Sequence, residues 1–115
     1  MPEQLETLDR RSHLRSSVGC DITLVLRDSP PIQVSAMNLS ASGAYCVSSR
    51  SLGELTRVDM TLRFYTGEDV AARAVVIREE ELSDGSYGLG LFFTRISEED
   101  RFVILGCTAA QRIED

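Results

Sequence analysis

Two short patterns in this sequence combine residue types and spacings that can do binding chemistry. The first is Asp9-Arg10-Arg11-Ser12-His13-Leu14-Arg15, which packs three cations, Arg10, Arg11 and Arg15, into six residues. The Arg11-x-x-x-Arg15 spacing alone carries little, because a chain this rich in Arg yields about one such pair by chance. An ordinary exposed basic stretch explains it equally well. The second pattern, Asn38-Leu39-Ser40-Ala41-Ser42-Gly43, has the form [Asp/Asn]-x-Ser-x-x-Gly. This composition produces such a string roughly 0.07 times by chance. A polar turn between two strands accounts for Gly43 and partly for Asn38, but not for the arginines that precede them.

Other chemistry is poorly supplied. The chain has one His (His13), no Lys, and three widely spaced cysteines, Cys20, Cys46 and Cys107. A nucleophile, base and orienting group cannot be assembled from that set, and no Cys-x-x-Cys is present to hold zinc. Cys20 and Cys46 sit in apolar runs, where a free thiol packs as a small hydrophobe. Glu79, Glu80, Glu81 and Asp84 read as a solvated acidic turn. There is no Gly-rich phosphate loop; Gly88 and Gly90 fall inside a strand pattern and mark close packing or a bulge.

Composition narrows the function classes further. A length of 115 residues with 43% apolar residues makes one domain with a real core. Twelve bases against eighteen acids leave a net charge of −6. An isoelectric point near 4.7 speaks against a sequence-independent DNA or RNA binder. No apolar run approaches the ~20 residues of a membrane span. The opening Met-Pro-Glu-Gln-Leu-Glu has no basic or hydrophobic leader character, so the expected compartment is the cytoplasm.

The elements that would position these residues follow from periodicity. Residues 1–8 read as a mobile tail, and residues 9–115 as the domain. Alternation predicts strands over Ser17–Arg27, Ile32–Asn38, Ala44–Ser48, about 57–64, Val70–Arg78 and Tyr87–Thr94. Asp28-Ser29-Pro30-Pro31 ends the first, and Leu39–Gly43 forms a turn or kink between the second and third. A hairpin loop is expected over Glu79–Ser86, with Asp84-Gly85 as its turn dipeptide. From Ser97 the period changes to helical. Ser97 caps the start of a helix read from about Ser97 to Arg112, three acids suit the dipole, and Phe102, Leu105, Ala109 and Ile113 follow as an apolar stripe. Six short strands and a terminal helix argue for a small antiparallel barrel or sandwich, with the helix stripe covering an open end or flank.

The ordered pair of Arg-x-x-x-Arg before a first strand and [Asp/Asn]-x-Ser-x-x-Gly one hairpin later resembles the PilZ domain. The late strand Tyr87-Gly88-Leu89-Gly90-Leu91-Phe92-Phe93 and the Ser-Glu-Glu-Asp-Arg helix start are similar as well, so the likeness covers about Asp9 to Arg112. It implies an all-β, six-stranded antiparallel barrel of split-barrel type with a C-terminal helix. The implied function is a bacterial receptor for cyclic di-GMP without catalysis and without a cofactor. By that resemblance Arg11 and Arg15 grip guanine edges and phosphate, as a bidentate fork does and an ammonium cannot. Asn38 and Ser40 supply polar contacts, and Gly43 provides a positive φ or a close backbone approach. Arg10, directly ahead of the motif, goes with a self-stacked pair of ligands, hence two molecules per chain. Arg78 either extends the site or is a plain exposed strand residue.

The mechanism the resemblance implies is ordering of the Arg10–Arg15 segment across the barrel mouth on ligand binding, which changes the surface shown to an effector protein. Two other readings compete: a PilZ-fold adaptor that binds protein without nucleotide, and a small barrel for single-stranded nucleic acid. An aromatic content of 6% and the missing basic groove count against the latter.

Overall fold

The computed structural model describes residues 18–114, with side chains through residue 108. Arg10, Arg11, His13 and Arg15, and the tail ahead of them, therefore lie outside the described residues. The alternation read from the sequence becomes six strands: β1 (Cys20–Val25), β2 (Ile32–Leu39), β3 (Gly43–Ser48), β4 (Arg57–Phe64), β5 (Asp69–Glu81) and β6 (Tyr87–Ile96). One helix, α1 (Glu98–Glu114), follows. The strands close into an antiparallel barrel in the order β1-β2-β3-β6-β5-β4, which leaves no free edge strand among them.

Strand β4 shows why the barrel forms. Val58, Met60, Leu62 and Phe64 point inward and are buried, while Arg57, Asp59, Thr61 and Arg63 point out. The same period places Ile22 and Leu24 of β1, Val76 of β5 and Leu89 of β6 in one core with no accessible surface. Cys20 and Cys46 join it as fully buried thiols outside any disulfide. Burial, with the neighbouring Cys20 adding to it, pushes the Cys46 thiol up to about 12, so it packs as a hydrophobe rather than reacts.

Three expectations need correction. Strand β1 is shorter than Ser17–Arg27: it stops at Val25, and Asp28 takes a left-handed φ of 64° ahead of the two prolines. Strand β5 is longer, because Glu79, Glu80 and Glu81 pair with Leu89, Gly88 and Tyr87 of β6. The turn shrinks to Leu82–Ser86, closed by Leu82 N donating to Ser86 O at 2.8 Å. Nor is Glu79 a solvated turn residue. Its carboxylate crosses to the β3–β4 loop and accepts from the Leu52 and Gly53 amides, both at 2.8 Å, and from the Ser51 hydroxyl. Those bonds, the Ser51 hydroxyl foremost, hold its carboxyl below the usual range.

The helix is capped as predicted, with Asp100 N donating to Ser97 Oγ at 3.0 Å. The described part of its apolar stripe, Phe102 and Leu105, does not face the barrel, however. Phe102 is 69% and Leu105 47% exposed, whereas Ile104 is fully buried and Val103 and Cys107 pack half-buried beside it. Polar anchors set this rotation. Asp100 accepts from Ala71 N at 3.3 Å on β5, and Arg101 donates to Ala41 O at 2.7 Å. Positions 97, 100, 101, 104 and 107 share one helical face, so anchoring 100 and 101 turns Ile104 into the core and Phe102 out. Among the described residues no helix is long and apolar enough to cross a membrane.

Candidate ligand-binding site

The Asn38–Gly43 string forms the tip of the β2–β3 hairpin and folds through its own polar groups. Ser40 N donates to Gly43 O at 2.9 Å, and Ser40 Oγ accepts from Ser42 N at 3.2 Å. The two hydroxyls of Ser40 and Ser42 stand 3.1 Å apart. Serine side chains satisfying nearby backbone groups in this way favour the turn over continued sheet. From outside, Phe93 N donates to Ser42 O at 2.9 Å, and Arg101 clamps Ala41 from the helix. The tip is thus tied to both β6 and α1.

Gly43 is required by proximity, not by φ. A Cβ there would run into the carbonyl oxygen of Leu91, so β3 and β6 can approach only without it, and of the two roles expected of Gly43 the close approach is the one realised. Gly88 is close-packed as well, since a Cβ would overlap the Tyr45 ring and hydroxyl. Gly90 differs: a Cβ would make ordinary contact, 3.4 Å from Cβ of Arg78. There the missing side chain leaves open floor. It lies beside the irregularity between Val76 and Arg78 in the β5–β6 register.

Together these features shape an open pocket of about 310 Å³ on the outer face of the barrel. Asn38, Ser40, Ser42, Gly43 and Tyr45 line one side, and Ile77, Gly90 and Phe92 the other. Ile77 is 57% and Phe92 48% exposed. The floor is therefore glycine backbone between two apolar walls, with an amide and hydroxyls on the rim. That arrangement accepts a flat ring whose edge makes hydrogen bonds. No charged side chain lines it among the described residues. At its margin, Tyr45 donates from its hydroxyl to Glu80 Oε2 at 2.7 Å, and this bond to a carboxylate, with burial, holds the phenol above its usual range. Arg78 pairs loosely with Glu80 at 3.7 Å, its side chain 71% exposed.

Of the sequence-predicted residues, the structure brings Asn38, Ser40 and Gly43 to this pocket. Arg78 sits opposite Gly90 in the register but outside the lining. Tyr45, Ile77 and Phe92 were missed. Their signal was available in the alternation: Phe92 and Phe93 are adjacent, so one of them must point outward, and Ile77 occupies an outward position on β5.

The PilZ domain profile matches residues 9–110, and the chain belongs to the PilZ domain family. No curated protein matches it in sequence. Among solved structures, the inhibitor of motility MotI/DgrA of Bacillus subtilis superposes with a TM-score of 0.74 at 17% identity, covering 84% of this chain and 48% of that one. MrkH of K. pneumonia in its apo state gives 0.71 at 14%, covering 88% and 48%. The PilZ domain of YcgR from Escherichia coli, solved with c-di-GMP, gives 0.62 at 14%, covering 87% and 90%. At these identities the likeness is one of fold. The chain spans about half the length of the first two proteins.

Proposed function

We propose that this chain is a cyclic di-GMP receptor that acts without catalysis and reports ligand binding to an effector protein. The observation that carries the reading is the pocket at the Asn-x-Ser-x-x-Gly hairpin, which has an open apolar floor and a neutral polar rim. At about 310 Å³ it lies at the small end of the about 300–1,000 Å³ range of small-molecule sites, and so seats one base rather than a whole dinucleotide. Asn38 offers both an amide donor and an acceptor to a guanine edge, and Ser40 a hydroxyl. Phe92 and Ile77 flank the ring. A ligand with two phosphodiester anions also needs cations, which this lining lacks. Arg10, Arg11 and Arg15 are the residues assigned that task, as a clamp that orders over the pocket when ligand arrives.

Arg10 gives a third cation for a second, stacked ligand, so the expected stoichiometry is two. Isothermal titration calorimetry with cyclic di-GMP, and with GTP as control, tests the proposal. Two ligands per chain supports both the receptor reading and the role of Arg10. One ligand keeps the receptor and removes the stacked pair. No heat and no thermal stabilisation at saturating ligand refutes nucleotide binding and leaves a PilZ-fold adaptor for protein.

A further inference from the structure

Next to the pocket along β5, the barrel carries an unassigned cationic face. The registers align Val25, Asp59, Arg73 and Arg95 across β1, β4, β5 and β6, all four exposed. With neighbouring strands 4.7–4.9 Å apart, that row spans about 14 Å. Arg57 lies two residues before Asp59 on the same side of β4, and Arg27 follows β1. The result is a groove of about 900 Å³ lined by Arg27, Arg57, Arg73 and Arg95 against a single acid, Asp59. Asp59 is engaged by Arg73 at 3.4 Å. Arg27, Arg57 and Arg95 form no ion pair or side-chain hydrogen bond among the described residues. Converging like charges repel, and here they converge in a chain whose net charge is −6.

We propose that this groove docks an acidic segment of a partner protein. Guanidinium forks match carboxylates bidentately, so Arg57, Arg73 and Arg95 take the acids, while exposed Val25 and half-buried Leu26 and Val75 receive the apolar side chains between them. The closed barrel offers no edge strand for strand addition, so side chains must do the recognising. A short acidic segment fits within the cationic row. A nucleic acid strand, charged along its whole length, would run on over the acidic remainder of the surface. The inference goes beyond the receptor reading and stands without any nucleotide, since the groove shares no residue with the pocket.

The test is titration of the isotopically labelled full chain, without nucleotide, with a peptide alternating Glu and Leu. Binding is followed by NMR shifts and by anisotropy of the fluorescein-labelled peptide. The controls are the same peptide with Gln for Glu, and an oligothymidine of equal charge. Expected are shifts at Val25, Arg57, Arg73 and Arg95, and binding that weakens with salt. The double variant Arg57→Gln/Arg95→Gln should bind about tenfold more weakly, and Arg63→Gln, outside the groove, like the parent. These arginines are exposed, so circular dichroism of each variant should match the parent. Absence of binding up to millimolar peptide, equal binding of the Gln peptide, or undiminished binding by the double variant overturns the proposal. Tighter binding of oligothymidine than of the Glu peptide also overturns it, in favour of nucleic acid.

Discussion

Replacing Gly43 and Gly90 one at a time by alanine should give opposite effects on stability, although both glycines line the same pocket. The Cβ of Gly43→Ala would overlap the Leu91 carbonyl oxygen, which is backbone and cannot rotate away. Strands β3 and β6 must shift along the Gly43–Phe92 and Ala44–Leu91 pairs, and overpacking of this kind costs about 1–3 kcal/mol. The Cβ of Gly90→Ala meets Arg78 Cβ at 3.4 Å and Ile77 Cγ1 at 3.8 Å, both ordinary contacts. There the loss of unfolded-state freedom should stabilise the chain by about 0.4–1 kcal/mol. The two variants should therefore differ by about 1.5–4 kcal/mol in urea unfolding. For ligand the order reverses in interest. Gly90→Ala keeps its fold, yet raises the pocket floor by a methyl group, and under the proposed receptor reading cyclic di-GMP should bind about tenfold more weakly or worse. A Gly43→Ala variant as stable as wild type, or a Gly90→Ala variant equally damaged, would refute the steric reasoning. Unchanged ligand affinity in Gly90→Ala would remove the pocket as the seat of the base.

Glu79→Gln should lose about 1 kcal/mol at pH 7, because the carboxylate accepts three hydrogen bonds from the β3–β4 loop. The folded carboxyl titrates below its ordinary value of 4.5, so this contribution is full above 4.5 and fades as pH falls through the lowered folded value. Urea unfolding at descending pH should show the wild-type advantage closing in that window, and an advantage that persists unchanged there would refute it. Ile104→Ala should cost about 2–5 kcal/mol, since Ile104 is the fully buried plug from α1, whereas Phe102→Ser should cost less than about 0.5 kcal/mol by the same assay. Under the proposed reading, Asn38→Ala weakens cyclic di-GMP by a factor nearly independent of salt. Arg11→Ala or Arg15→Ala also flattens the salt dependence, because each removes a phosphate-facing charge; calorimetry at low and high salt separates the two classes.

The barrel was legible because its strands are half-buried and alternate, as Val58, Met60, Leu62 and Phe64 do without a break. The cap at Ser97 was legible for a local reason, as one hydroxyl reaching one amide needs no tertiary context. What failed depended on partners distant in sequence. Glu79 looked like a turn acid because its three donors lie on residues 51, 52 and 53, out of reach of any local pattern. The helix offered two apolar faces, and only the contacts of Asp100 and Arg101 with β5 and the hairpin decided which was buried.

The pocket shows the same division within a single site. Asn38, Ser40 and Gly43 are readable as a string because they must be contiguous: the hairpin tip is built from their own hydrogen bonds and one close approach to Leu91. The walls come from β5 and β6, where Ile77 and Phe92 look like any strand hydrophobes until the barrel turns them outward. Those walls are also what joins the two faces of the molecule. On β5 the outward residues run from Arg73 through Val75 to Ile77, from the cationic groove to the hairpin pocket. Anything seated over Ile77 and Phe92 thus lies within one or two residues of a partner seated over Arg73 and Val75. Ligand and partner would touch neighbouring stretches of the same strand, and binding at one site would need no long-range rearrangement to be felt at the other.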